Sequence, residues 1–125
     1  MLHFCIPGQL PSNNQLIRAH WARRSRLKSG YLSFIRAQLN EPFPEKAAKV
    51  RSHVDIVAFL RRRYDKDNLH GGAKILIDAL RAAKLIYQDS PRWLDLDVRQ
   101  ELDHENMRIE VTVKSSMPPS GGSSQ

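Results

Sequence analysis

Ser52-His53-Val54-Asp55-Ile56-Val57-Ala58-Phe59-Leu60, followed by Arg61-Arg62-Arg63, decides the fold. In a strand, residues two apart point to the same side. Here Val54, Ile56, Ala58 and Leu60 share one face, and His53, Asp55, Val57, Phe59 and Arg61 share the other. The alternation predicts a well-buried strand over 51–63. Asp67, Asn68 and the pair Gly71-Gly72 then read as a loop. From Ala73 to Ile86, Leu76, Ala79, Leu80 and Ala83 recur on one side of a helix, with Lys74, Asp78 and Arg81 on another.

On either side of this segment the pattern is simpler. Leu2 to Ile6 reads as a short strand ended by Pro7-Gly8, and Leu10-Pro11-Ser12-Asn13-Asn14 as a turn-rich loop. Leu27, Tyr31, Phe34, Ile35 and Leu39 predict an amphipathic helix over 27–39, closed by Pro42 and Pro44. After a turn at Gln88 to Pro91, residues 93–100 and 106–113 alternate again around Asp103-His104-Glu105-Asn106, and are expected to pair as a hairpin. The expectation is one α/β (α+β) domain over 1–114, with a mixed sheet and two principal helices. Residues 115–125 hold too little apolar content to pack and are expected to be disordered.

The chain has 125 residues, with 20 Lys plus Arg against 13 Asp plus Glu and a net charge of +7. That balance suits a polyanionic partner, because phosphate binding releases condensed counterions. Cys5 is the single cysteine and cannot form an internal bridge, which fits a reduced, cytoplasmic setting. No apolar run of about 18 residues predicts a membrane span. The five histidines lack metal-ligand spacing, so zinc is not expected. Gly71-Gly72 lacks the Lys-Ser/Thr of a phosphate-binding loop; a hinge is expected and no nucleotide cofactor.

The cations cluster at Arg18, Arg23, Arg24, Arg26 and Lys28, and again at Arg61, Arg62 and Arg63. Asp65 and Asp67 lie directly after the second cluster. At strand spacing they would point the same way about 6.6 Å apart, converging on one site. Hard oxygen donors favour Mg²⁺, with Mn²⁺ as the alternative, and Asp89 is expected to complete the set from the far end of the helix. The competing reading makes these acids helix caps or turn residues. A second Asp-x-Asp, Asp95 and Asp97, alternates with Leu94, Leu96 and Val98 and reads as a solvated strand face. Trp21, among Arg18, His20, Arg23 and Arg24, reads either as a base-stacking residue or as core.

The order of the whole segment carries a resemblance. Arg61-Arg62-Arg63-Tyr64-Asp65-Lys66-Asp67-Asn68-Leu69, then Lys74 four residues before Asp78-Ala79-Leu80, then Asp89, resembles the RusA family of Holliday-junction resolvases. Pro11-Ser12-Asn13-Asn14 resembles that family's Pro-Ser-x-Asn loop, so the resemblance covers about residues 3–113. It implies that Asp65, Asp67 and Asp89 are catalytic and metal-binding, that Lys74 is the active-site lysine, and that the protein is a homodimer cutting four-way DNA junctions. Arg18, Arg23, Arg24, Arg61, Arg62, Arg63 and Asn14 are the expected DNA contacts. His70-Gly71-Gly72 lengthens the segment before Lys74, which otherwise serves as an i,i+4 partner of Asp78. Gln88 stands where the family often has an acid. The rival readings are a nuclease for flaps or other branches, and a non-catalytic DNA-binding module.

Overall fold

Strand β2 (Ser52–Leu60) is the centre of the molecule, and its alternation is realised residue by residue: Val54, Ile56, Ala58 and Leu60 are buried, while His53, Asp55, Val57 and Phe59 remain half-exposed. The computed structural model describes residues 2–18, 20–39 and 44–115. Around β2 the elements are β1 (Leu2–Pro7), α1 (Asn13–Arg18), α2 (Trp21–Leu39), α3 (Lys66–Ala82), β3 (Leu94–Leu102) and β4 (Arg108–Ser115). The sheet is mixed, with order β1-β4-β2-β3, which makes this a single α+β domain. One face of β2 is packed under the helical layer with Phe4, Ile6, Tyr31, Ile35, Leu76, Leu80, Ile109 and Val111 in a common core. No helix among the described residues is long and apolar enough to cross a membrane. Of the expected disordered tail, Ser115 ends β4 and 116–125 lie outside the described residues.

The hairpin expected from 93–100 and 106–113 does not form. β3 runs parallel to β2, Ser52 to Leu60 against Leu94 to Leu102, and β4 pairs antiparallel with the opposite edge of β2. Burial explains the order. β4 buries Ile109, Val111 and Val113, which suits an interior strand, whereas β3 buries only Leu94 and Val98 and carries Asp95, Asp97, Arg99 and Glu101 exposed, which suits an edge. The link between them crosses the end of β2, where the Asp103 N–H donates to the Leu60 carbonyl at 2.9 Å. At the other edge, the Gln38 side chain stands beside β1, donating to the Cys5 carbonyl at 2.7 Å and accepting from the Cys5 N–H at 3.3 Å.

Helices α2 and α3 start earlier than their apolar periodicity predicts, α1 forms where a loop is expected, and a cap accounts for each start. Ser12 and Gln15 form a reciprocal capping box: the Gln15 N–H donates to Ser12 Oγ at 3.2 Å and the Ser12 N–H to Gln15 Oε1 at 2.9 Å. This turns the expected loop at Asn13-Asn14 into α1. The His20 ring nitrogen Nδ1 accepts from the Ala22 N–H at 3.2 Å, so α2 begins at Trp21 rather than Leu27. Asp65 caps α3, so Asp67, Asn68, Gly71 and Gly72 are helical rather than a loop or hinge.

Two glycines weaken a helix by about 1 kcal/mol each relative to alanine, and packing supplies the reason for them here. A Cβ on Gly72 would collide with the Pro11 carbonyl oxygen, and one on Gly71 with the Asn13 side chain. The glycines therefore let the chain after Leu10 lie directly on α3. The far end of α3, expected to run to Ile86, stops at Ala82 because Lys84 turns left-handed with φ 64°. The Lys84 N–H donates to the Arg81 carbonyl at 3.0 Å and the Leu85 N–H to the Leu80 carbonyl at 3.1 Å, the two bonds of a Schellman close.

Candidate functional site

At the carboxyl end of β2 the chain passes through exposed Arg61, Arg62 and Arg63 before α3 begins. Tyr64 fixes that passage. Its hydroxyl donates to the Leu10 carbonyl at 2.7 Å and accepts from Gln9 Nε2 at 2.8 Å, while its backbone N–H and carbonyl are both held by the Gln100 side chain at 2.9 Å. Burial raises the pKa of the Tyr64 hydroxyl, opposed by its bond from Gln9. Burial, with Tyr64 as the lesser cause, pushes Tyr31 up to about 12. Both phenols are therefore neutral spacers rather than bases. Sequence reading missed Gln9, Tyr64 and Gln100, because a clamp built from residues 36 to 55 positions apart leaves no local pattern.

Asp65 and Asp67 are not two apart on a strand. Asp65 is the N-cap of α3, extended at φ −68° and ψ 166°, and Asp67 sits in the first helical turn. The two carboxylates thus sit at the positive end of the helix dipole. Asp65 Oδ1 accepts from the Asn68 N–H at 2.8 Å and Oδ2 from Asn68 Nδ2 at 3.1 Å. A carboxylate has about four acceptor positions, so this capping role leaves Asp65 with oxygen lone pairs toward solvent. Asn68 also accepts, through Oδ1, from the Asn14 N–H at 3.0 Å. The two sequence motifs, Pro11-Ser12-Asn13-Asn14 and Asp65 to Asn68, are one structural unit.

Asp89 lies elsewhere. It follows α3 and pairs with Arg81 at 3.7 Å, in the helix's last turn. From Asp65 to Arg81 the helix rises about 24 Å at 1.5 Å per residue. Within one chain, Asp89 does not complete a site with Asp65 and Asp67. Among the described residues, no group of three or more His, Cys, Asp or Glu side chains is placed to hold a metal ion. The donor chemistry at the head of α3 fits a hard divalent cation, but only two of the three expected carboxylates lie there.

Lys74 is exposed on α3, two and a half turns from Asp65, and makes no ion pair with Asp78 among the described residues. It lines a cleft of about 510 Å³ between the three helices, together with Arg24, Lys28 and Ile17. From 13 to 39 the sequence contains six Arg or Lys and no acid, and Arg18, Arg23, Arg24, Arg26 and Lys28 are exposed. Trp21 is exposed too, at 68%, so it is not core.

Acidic groups gather on the opposite, open face of the sheet. Asp95 and Asp97 are both exposed on β3, as expected, but Asp95 also takes a bond from His53 Nδ1 at 2.9 Å, whose Nε2 lies 3.3 Å from Asp55. The Asp95 bond, and secondarily Asp55, raises the His53 pKa above its ordinary value. Nearby, Arg108 pairs with Asp103 at 3.0 Å and Glu110 at 2.9 Å and lies 3.7 Å over the Phe59 ring. The Asn106 N–H and Arg108 hold the Asp103 carboxyl below its usual range. The net positive charge is therefore concentrated on the helical side and on the arginine run.

The chain matches no protein-family model and no curated protein.

Proposed function

We propose that this protein is a Mg²⁺-dependent endodeoxyribonuclease that acts on branched DNA, with four-way junctions as its substrate, and that it works as a homodimer. The observation that supports this reading is the placement of Asp65 and Asp67, solvent-facing at a helix N-terminus, beside Arg61, Arg62 and Arg63 and tied through Asn68 to Asn14 in the first turn of α1. Arginine side chains draw a phosphate backbone to the carboxylates. The motif order resembles RusA resolvases in the same residues. Because about 24 Å of helix separates Asp65 from Arg81, the partner of Asp89, the set of three acids requires Asp89 of the partner subunit. A twofold dimer then has two such sites, matching two opposed strands of a junction.

In this reading Asp65 and Asp67, with Asp89 of the partner subunit, hold the cation, which when bound supplies charge neutralisation at the phosphate and a water of lowered pKa. Asn68 orients Asp65 through two hydrogen bonds. Lys74 offsets phosphate charge from the helical cleft. Arg24, which lines that cleft, and Asn14, bonded to Asn68 at the head of α3, would contact DNA together with exposed Arg18 and Arg23.

One observation favours a second reading, a DNA-binding module without catalysis: Asp65 already serves as a helix cap and Asp89 as an ion-pair partner of Arg81. Incubating the protein with labelled four-way, flapped and linear DNA, with Mg²⁺ or with EDTA, separates the two. Paired, symmetric nicks in the junction that EDTA suppresses are expected. Cuts confined to flaps would move the substrate, and binding without cuts would leave the module.

A further inference from the structure

We propose that Trp21 and Ile17 form a stacking site for unpaired nucleobases in single-stranded or branched DNA. The inference rests on reading the chain as a DNA-binding protein, and not on cleavage. Both side chains are 68% exposed, at the corner where α1 ends and α2 begins. The His20 cap sets Trp21 at the first position of α2, with the two rings 5.6 Å apart and tilted by 36°. Trp21 takes no part in seating the helix, because Tyr31 and Ile35 anchor α2 in the core with Leu27, Phe34 and Leu39 packed against it.

A large exposed aromatic side chain forgoes burial that it would otherwise gain, so its surroundings decide what it meets. Those surroundings are cationic, with Arg18, Arg23, Arg24, Arg26 and Lys28 exposed and no acid between residues 13 and 39. A cationic track beside an aromatic face is the pattern that holds single-stranded nucleic acid, the cations meeting phosphates and the ring meeting a base. In intact duplex the base faces are already stacked, so the ring gains a partner only where pairing is broken. Ile17 also lines the 510 Å³ cleft that holds Arg24, Lys28 and Lys74, which places an apolar wall next to the phosphate track. An anionic membrane surface suits this corner less well, since Tyr31 and Ile35 are committed to the core and leave no apolar helix face for a bilayer.

The test uses the full chain carrying Trp93→Phe, which leaves Trp21 as its one indole. Single-stranded DNA and a four-way junction are expected to quench Trp21 emission, and a blunt duplex is not. Trp21→Ala should weaken binding to single strand and junction about tenfold, with duplex affinity held within about twofold, and Trp21→Phe should restore most of the loss. Equal weakening on duplex, unchanged affinity for every DNA, or quenching by phosphatidylserine vesicles in place of DNA would overturn the proposal. A protein that shows this discrimination but cuts nothing refutes the nuclease reading alone. One that nicks junctions with Trp21→Ala affinities unchanged refutes the stacking site alone.

Discussion

The Asn14 backbone N–H donates to Asn68 Oδ1 at 3.0 Å, joining residues 54 positions apart, while the same amide donates through Nδ2 to Asp65. One side chain thus connects the first turn of α1 to the proposed catalytic acid. Asn68→Ala should destabilise the protein by about 1–2 kcal/mol through lost hydrogen bonds, measured by urea unfolding. Asn68→Asp should do at least as much at neutral pH, since an acceptor would then face the Asp65 carboxylate, and the penalty should shrink on acidification.

Asp65→Asn separates capping from chemistry. Asparagine caps a helix about as well as aspartate, so Asp65→Asn should lose only the bond from Asn68 Nδ2, whereas Asp65→Ala, which loses the cap as well, should cost more, about 1–2 kcal/mol. Cleavage should disappear in Asp65→Asn, Asp67→Asn and Asp89→Asn alike, with DNA binding kept or tightened by the loss of negative charge. Mixing Asp65→Asn with Asp89→Asn protein should restore nicking, because one site of the mixed dimer regains all three acids. Silence in the mixture, with an active parent, would rule out the sharing of Asp89 between subunits.

Gly72→Ala should destabilise by about 1–3 kcal/mol, because the new methyl group meets the Pro11 carbonyl and the backbone has to move. Gly71→Ala should also destabilise, since its obstacles include the Asn13 Cβ, which side-chain rotation cannot move, so α1 itself has to shift. Helix propensity predicts the opposite sign for both, so chemical denaturation of the two variants decides between propensity and packing.

Lys84→Gly should stabilise the protein by about 0.5–1 kcal/mol. Lys84 holds φ 64°, a conformation that glycine adopts without the Cβ penalty, set against glycine's greater freedom in the unfolded chain. Calorimetry gives the comparison, and a lower melting temperature would show that the lysine side chain supports the turn.

The bond from His53 to Asp95, reinforced by Asp55, raises the histidine's pKa in the folded state. A raised folded value means that the protonated form is preferred on folding, so this stabilisation is full below the unfolded value near 6.5 and fades as pH climbs through the folded one. Desolvation of the ring works against it. The difference in melting temperature between parent and His53→Gln should therefore be largest in mild acid and vanish in mild alkali.

Alternation made β2 legible from its own residues, and the same holds for the inner positions of β4 and the buried stripe of α3. Strand partners were not legible in this way. The choice between a β3–β4 hairpin and a β4 inserted beside β2 depends on which strand can bear exposure on an edge, and Asp95, Asp97, Arg99 and Glu101 answer that only once both arrangements are compared. The Gly71-Gly72 pair misled because its cause lies at Pro11 and Asn13, sixty residues away. Ser12 and Gln15 did carry a local signal for α1, a capping box at the expected spacing. For the acids, Asp65 and Asp67 fall together as their sequence proximity suggests, but the distance to Asp89 follows from the length of an uninterrupted α3.

The Gln38 amide bonds Cys5 through both of its polar ends, as a neighbouring strand would. A single side chain thereby imitates one residue of backbone and closes part of the β1 border to any approaching strand. The border at β3 is guarded differently, by charge, with Asp95, Asp97 and Glu101 repelling a like copy. The sheet is thus protected at both margins against fibrous growth by strand addition, by a mimic of backbone at one and by charge at the other.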